Sequence, residues 1–82
     1  MPTVLWLGNL RVMIRTNDHS PPHIHVVGNA HEAKFALNCP RGLVTLVENY
    51  GFSLSEVTRI KQGTQKNVVV LCNAWEKIHG QS

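Results

Sequence analysis

Histidine is the residue type in this sequence that is best suited to catalysis or metal binding. Five histidines occur in 82 residues, and His19, His23 and His25 fall within one seven-residue stretch. Asp18 directly precedes this stretch, and Glu32 lies seven residues after His25. Imidazole and carboxylate groups supply general acids and bases near neutral pH, and they are also ligands for Zn²⁺, Ni²⁺, Mn²⁺ and iron. These five residues are called the histidine cluster below.

The spacing of the cluster predicts that its members meet. His23 and His25 are two residues apart in a β-prone segment, so both side chains point to one face of the predicted strand. If Gly28-Asn29 is a two-residue hairpin turn, His25 pairs with Glu32, whose carboxylate then lies beside the imidazoles. We expect His19, held at a proline-proline corner, to reach the same place.

Three interpretations of the histidine cluster stay open. In the first, His19, His23 and His25 bind a divalent metal together with Asp18 or Glu32. In the second, the same histidines and Glu32 act as acid and base in phosphodiester cleavage, as in a ribonuclease. In the third, the histidines only donate to backbone carbonyls or face a partner, while Asp18 caps its own turn.

Two cationic side chains near the cluster bear on the catalytic interpretation. Lys34 or Arg15 could stabilise negative charge that develops on a phosphate. The other cations are scattered along the chain, which carries eight Lys/Arg against five Asp/Glu and a net charge of +3. A dedicated nucleic-acid-binding domain usually concentrates basic residues on one face, so the sequence supports that role only weakly.

The elements that position the cluster are predicted from hydrophobic alternation and turn residues. Two β-prone runs flank Gly8-Asn9, and further strands follow over about 23–27, 30–37 and 43–47. In the second strand Leu10, Val12 and Ile14 should face the core. The intervening residues should face solvent, and they are Arg11, Met13 and Arg15.

A helical pattern fills the rest of the chain. Ser53 and Glu56 have the spacing of a capping box, and apolar residues then recur every three or four residues. This pattern predicts a helix over about 54–79 that ends before Gly80, with a kink or break near Gly63.

The predicted fold is therefore α+β, an antiparallel meander of four or five strands (about 3–48) with one face covered by the C-terminal helix. We expect the whole chain, 1–82, to form a single domain. The centre of its core should hold five residues, namely Trp6, Phe35, Leu37, Leu71 and Trp75. A core of this size is marginal, so a protein partner or a homodimer is expected.

Composition and the lack of long apolar runs argue against a disordered, membrane-spanning or secreted protein. Hydrophobic residues make up 43% of the chain and charged residues 16%, which is not the composition of a disordered segment. No apolar run is long enough to span a membrane and no secretory signal is recognisable, so we expect a cytoplasmic protein without membrane association. Cys39 and Cys72 should accordingly be reduced thiols in or near the core.

Several segments together resemble a family of small bacterial proteins with a domain of unknown function. Its signature, Asp-His-x-Pro-Pro-His-x-His-Val, corresponds to residues 18–26 here. The similarity continues through residues 32–35, 38–40 and 48–54, and in the ending Trp-Glu-Lys-Ile-His-Gly at 75–80. This chain departs from the family pattern at 62–65, within the predicted helix.

The resemblance implies a function only indirectly, because the family has no assigned activity. Its genes often lie beside those of another small family, which implies that this protein binds a partner in a toxin–antitoxin-like module. Two alternatives remain. One is a phosphodiesterase or ribonuclease that uses the histidine cluster with or without a divalent metal, and the other is a nucleic-acid-binding module.

Overall fold

The computed structural model describes residues 3–80, which form an open antiparallel sheet followed by two helices. The five strands are hydrogen-bonded in sequence order, as in a simple meander. They are β1 (Thr3–Leu7), β2 (Leu10–Met13), β3 (His23–Gly28), β4 (His31–Ala36) and β5 (Thr45–Tyr50). The helices are α1 (Leu54–Lys66) and α2 (Val68–His79). The predicted α+β architecture is confirmed.

The core lies between the sheet and the helices. Val12, Ile24 and Phe35 face it from neighbouring strands, and Leu71 and Trp75 face it from α2. Because paired residues of neighbouring strands share a face, this leaves the opposite face of the sheet to His23, His25 and the residues paired with them. We call that opposite face the histidine face.

Trp6 does not belong to the core, and its prediction was wrong. Its side chain is 58% exposed, whereas Phe35, Leu37, Leu71 and Trp75 are buried as predicted. The reason is the register of the first hairpin, which pairs Trp6 with Arg11 on the face away from the helices.

Met13 was also assigned to the wrong environment. It was predicted to face solvent but is buried, with 3% of its surface exposed. Met13 pairs with His25 on the histidine face, and the β2–β3 connection crosses that face to bring Asp18 to the histidines. The sheet is therefore covered locally on both sides.

The helical region is broken at Asn67 and not at Gly63. The Asn67 N–H donates to the Thr64 carbonyl oxygen (3.1 Å), and its side-chain amide donates to the Gly63 carbonyl oxygen (2.8 Å), which closes α1 before α2 begins. Gly63 stays helical, and a Cβ there would come within 3.0 Å of a methyl group of Leu7. The glycine thus permits close packing of α1 on β1.

The last strand lies further along the chain than predicted. β5 covers Thr45–Tyr50 and not 43–47, and all six of its residues are exposed. The segment before it is tied to α1, since the Val44 N–H donates to the side-chain oxygen of Gln65 at 2.8 Å. This contact between residues far apart in sequence holds the residue directly before the strand against α1.

Cys39 and Cys72 form a disulfide, so the prediction of two reduced thiols was wrong. Cys39 lies in the β4–β5 connection and Cys72 on α2, 33 residues later. The two residues meet because α2 packs beside the β4–β5 connection, and the spacing of the cysteines in the sequence does not predict this packing. Within residues 3–80, neither helix has the length and apolar character needed to cross a bilayer.

Candidate metal centre

β3 presents His23 and His25 on one face of the sheet, as predicted. The hairpin that follows has a different register from the predicted one. The turn residues are Asn29 and Ala30, both with positive φ (52° and 63°), and not Gly28 and Asn29. His25 therefore pairs with Lys34, and the pairing of His25 with Glu32 was wrong.

Glu32 nevertheless reaches His25 from a diagonal position. It pairs with Val27, two residues after His25, so the two side chains share the histidine face. The Glu32 Oε2 atom lies 3.3 Å from the His25 Nδ1 atom. The predicted contact exists although the predicted register does not.

The β2–β3 connection carries Asp18 to the histidines. The Arg15 N–H donates to the Asp18 carboxylate (3.1 Å), and the Asp18 N–H donates back to the Arg15 carbonyl oxygen (3.1 Å). This closed turn fixes the carboxylate, as expected for an aspartate in turn chemistry. Its Oδ2 atom then lies 3.3 Å from the Nε2 atom of His23 and 3.3 Å from that of His25.

The partners of the two Nδ1 atoms determine where the ring lone pairs point. The Pro21 carbonyl oxygen can only accept, so the His23 Nδ1–H, 3.0 Å away, is the donor. His25 has a carboxylate at each ring nitrogen, Glu32 at Nδ1 and Asp18 at Nε2, so either nitrogen can carry the proton of the neutral ring. In the neutral ring the His23 Nε2 atom therefore carries a lone pair directed at Asp18, and the His25 Nε2 atom does the same when Nδ1 carries the proton.

Two imidazole Nε2 atoms that face one carboxylate are satisfied by a proton or by a metal ion between them. A charge-assisted N–H···O bond would have an N–O distance of about 2.7–2.9 Å. Ligands about 2.0–2.1 Å from a tetrahedral Zn²⁺ lie about 3.3–3.4 Å from one another. The two observed distances of 3.3 Å match the edges of a metal coordination shell, and they also equal the length of the hydrogen bond between His25 and Glu32.

The site is buried, which strengthens the electrostatic interactions between the Asp18 carboxylate and its neighbours. The Asp18 side chain is 13% exposed, and both histidine side chains are buried. Desolvation alone would raise the pKa of Asp18, but the Arg15 N–H and the neighbouring His23 and His25 outweigh it and lower that pKa. Asp18 is therefore held as a carboxylate, the form that binds a metal.

A second layer of contacts supports these three residues. The Arg15 guanidinium lies 3.2 Å from the Glu32 carboxylate that orients His25. The Arg15 carbonyl oxygen accepts from the His79 Nε2–H at 3.1 Å. The Trp75 ring lies 5.2 Å from the His23 ring. From the sequence, Trp75 was placed only in the core and His79 was given no role. No local sequence pattern shows that the end of α2 lies beside His23 and Arg15.

His19 does not converge with the other ligands. Asp18, His23 and His25 have ligating atoms that all lie within 4.8 Å of one another, and among residues 3–80 this is the grouping that could hold a metal ion. His19 is exposed and borders a surface pocket of about 410 Å³ next to Asp18 and His23. Lys34 borders the same pocket. No carboxylate of residues 3–80 lies within 4.0 Å of its ammonium group.

The fold and the site define a small open-sheet α+β domain with a cluster of two histidines and one carboxylate. Comparison with family models gives its family: residues 9–76 match the model of DUF4160, a domain of unknown function. The chain belongs to this family, and the match includes Asp18, both histidines and Glu32. Neither a curated protein nor a solved structure matches the sequence.

Proposed function

We propose that this protein binds a divalent metal ion, Zn²⁺ or a cation of similar ligand preference, through Asp18, His23 and His25, and hydrolyses a phosphoester there. One observation carries the metal site. Both Nδ1 atoms face acceptors of the protein, and both Nε2 atoms converge on one carboxylate oxygen at 3.3 Å. Two imidazoles and a carboxylate are a ligand set typical of Zn²⁺ and Fe²⁺.

The same contacts favour a metal over simple acid–base catalysis by these two rings. Each ring has one nitrogen bonded to a fixed acceptor and the other facing Asp18. Neither His23 nor His25 has a free nitrogen to exchange a proton with a substrate. Of the predicted catalytic histidines, only His19 faces solvent, at the rim of the pocket.

Hydrolysis is supported by what surrounds the three ligands. Three protein ligands, and not four, are typical of a catalytic site, which keeps one position for water or substrate. A bound metal supplies Lewis-acid polarisation of a phosphoryl oxygen and lowers the pKa of bound water. Lys34 and His19 border the adjoining pocket, where the ammonium can attract a phosphate and the imidazole can transfer a proton.

Metal binding is tested on untagged protein by elemental analysis and by titration with Zn²⁺, Fe²⁺, Ni²⁺ and Mn²⁺. We expect one ion per chain and loss of binding in His23→Ala and His25→Ala. His31→Ala is the matched control, because this ring packs on Phe52 outside the cluster. Equal binding by His23→Ala and the wild type, or no binding by the wild type, would refute the site.

Hydrolysis is tested with bis(4-nitrophenyl) phosphate and with single-stranded RNA, each with and without added metal. Lys34→Ala and His19→Ala should keep the bound metal and lose at least tenfold in kcat/KM. Metal-loaded protein that leaves both substrates intact would remove the hydrolytic half of the proposal and leave the metal site standing.

The role as a partner-binding component of a toxin–antitoxin-like module stays a prediction, as do homodimerisation and binding of nucleic acid. Co-purification with the product of a neighbouring gene tests the first, and sedimentation equilibrium tests the second. For nucleic acid, binding that weakens steeply with salt concentration is the expected result.

A further inference from the structure

The Cys39–Cys72 disulfide lies at the surface, beside the elements that hold the metal ligands. It borders a pocket of about 440 Å³ that is also lined by Ser20, Pro22 and Trp75. Cys39 is exposed and Cys72 is half-buried. A thiol in solution can therefore approach the disulfide without unfolding of the core.

We propose that this disulfide is a thiol–disulfide exchange site and that its redox state sets the metal affinity of the Asp18–His23–His25 site. This proposal rests on the proposed metal-binding function. The reacting partner is a dithiol. Its thiolate attacks one cysteine sulfur, the S–S bond breaks, and a mixed disulfide forms. The second thiol of the dithiol then displaces the protein sulfur. The protein gains two electrons and two protons as two thiols, and the dithiol leaves as its own disulfide.

Helix α2 connects the disulfide to the ligand His23. Cys72 and Trp75 are three residues apart and therefore on the same side of the helix. The centroid of the Trp75 ring lies 5.2 Å from that of the His23 ring and 4.1 Å from that of the His79 ring. A change in the position of α2 at Cys72 therefore reaches His23 through one side chain.

A second contact of α2 reaches the other two members of the site. The His79 Nε2–H donates to the Arg15 carbonyl oxygen at 3.1 Å. The same Arg15 donates its N–H to Asp18 and pairs through its guanidinium with Glu32, which orients His25. The last two turns of α2 thus support His23 directly, Asp18 through Arg15, and His25 through Arg15 and Glu32.

The covalent link adds to the packing that holds the last turns of α2 beside the metal ligands. α2 follows Asn67, whose side chain does not cap its first turn, and its own buried anchors are Val68, Leu71 and Trp75. Cys72 lies between the last two of them and joins the helix to the β4–β5 connection. Reduction should let Trp75 and His79 move away from His23 and Arg15, so that the ligands are less well preorganised.

The test measures the Zn²⁺ dissociation constant of the oxidised wild type and of the Cys39→Ser/Cys72→Ser variant, which has no thiols to bind zinc themselves. We expect binding to be 10- to 100-fold weaker in the variant, the range seen when support of metal ligands is lost. Trp75→Ala should weaken binding similarly, and Trp75→Phe should restore most of it, because a ring again packs on His23. Val57→Ala in α1 is the matched control for general loss of stability.

The outcomes separate the two proposals. Equal Zn²⁺ affinity in the oxidised wild type and the double serine variant would overturn the coupling and leave the metal site intact. If the wild type binds no Zn²⁺, the coupling is still measured on metal-free protein by the NMR signals of the His23 ring, which should shift on reduction. Unshifted signals would overturn it. The exchange site itself is refuted if dithiothreitol releases thiols only under unfolding conditions.

Discussion

Removing the Cys39–Cys72 disulfide should lower the free energy of unfolding by about 3.7 kcal/mol at 25 °C. The bond closes a loop between residues 33 positions apart. In the chain-entropy relation, closing a loop of about 33 residues removes roughly 12.5 cal/mol/K from the unfolded ensemble, which gives this value. For a domain of this size, 1 kcal/mol corresponds to about 4–8 °C, so the melting temperature should fall by roughly 15–30 °C.

The assay is urea unfolding followed by far-UV circular dichroism. It compares the oxidised wild type, the wild type kept in dithiothreitol, and the Cys39→Ser/Cys72→Ser variant. The reduced wild type and the variant should agree with each other within error, because both lack only the cross-link. The slope of the free energy against urea should rise in both, since the uncrosslinked unfolded chain exposes more surface.

Two results would refute this reasoning. A loss of less than about 1 kcal/mol would mean that the unfolded chain keeps the two segments together without the bond. A large loss in the serine variant but not in the reduced wild type would mean that the substitutions disturb the packing around Cys72, and that the cross-link contributes little.

The other predictions concern the site, the helix start and the core. Glu32→Ala should weaken Zn²⁺ binding about 10- to 100-fold while leaving the metal stoichiometry at one, measured by competition with a chromophoric chelator. Ser53→Ala should destabilise the protein by about 0.5–2 kcal/mol in urea unfolding, because the Glu56 N–H loses its cap. The Ser53 N–H and hydroxyl lower the pKa of the Glu56 carboxyl in the folded protein. The ionised Glu56 should therefore stabilise the fold above the pKa that this carboxyl has in the unfolded chain. This contribution should be lost as the pH falls through the pKa of Glu56 in the folded protein. Glu56→Gln should abolish that pH dependence. Phe35→Ala should cost about 3–5 kcal/mol and Trp6→Ala less than about 0.5 kcal/mol, and similar costs for both would contradict the assignment of Trp6 to the surface.

Local patterns predicted those parts of the structure that depend on nearby residues. The Ser53–Glu56 capping box forms as predicted, with both of its hydrogen bonds present. The first hairpin turns at Gly8-Asn9, and Leu7 pairs with Leu10 as a two-residue turn requires. Side chains two apart on a strand share a face, so the common orientation of His23 and His25 was predictable as well.

The errors in the β3–β4 turn and in the helix break concern backbone conformations that the sequence pattern does not favour. Ala30 adopts a positive φ of 63°, which an alanine rarely does, so the sequence favoured a turn one residue earlier. Thr64, in the segment that departs from the family pattern, still lies on the buried face of the helix, and its hydroxyl is satisfied by donating to the Ile60 carbonyl oxygen. The break then falls at Asn67, whose side chain closes the last turn of α1.

The sequence by itself determined the α+β class, the meander, and a strand with two histidines on one face beside Asp18. Alternation and turn chemistry act over a few residues, so they can be recognised in one sequence. Only the tertiary structure decided that Asp18 meets both Nε2 atoms, that Cys39 bonds to Cys72, and that His79 reaches Arg15. These contacts depend on the path of the β2–β3 connection and of α2 across the sheet. That path is set by burial of the whole core, and no periodic pattern of residues in the sequence predicts it.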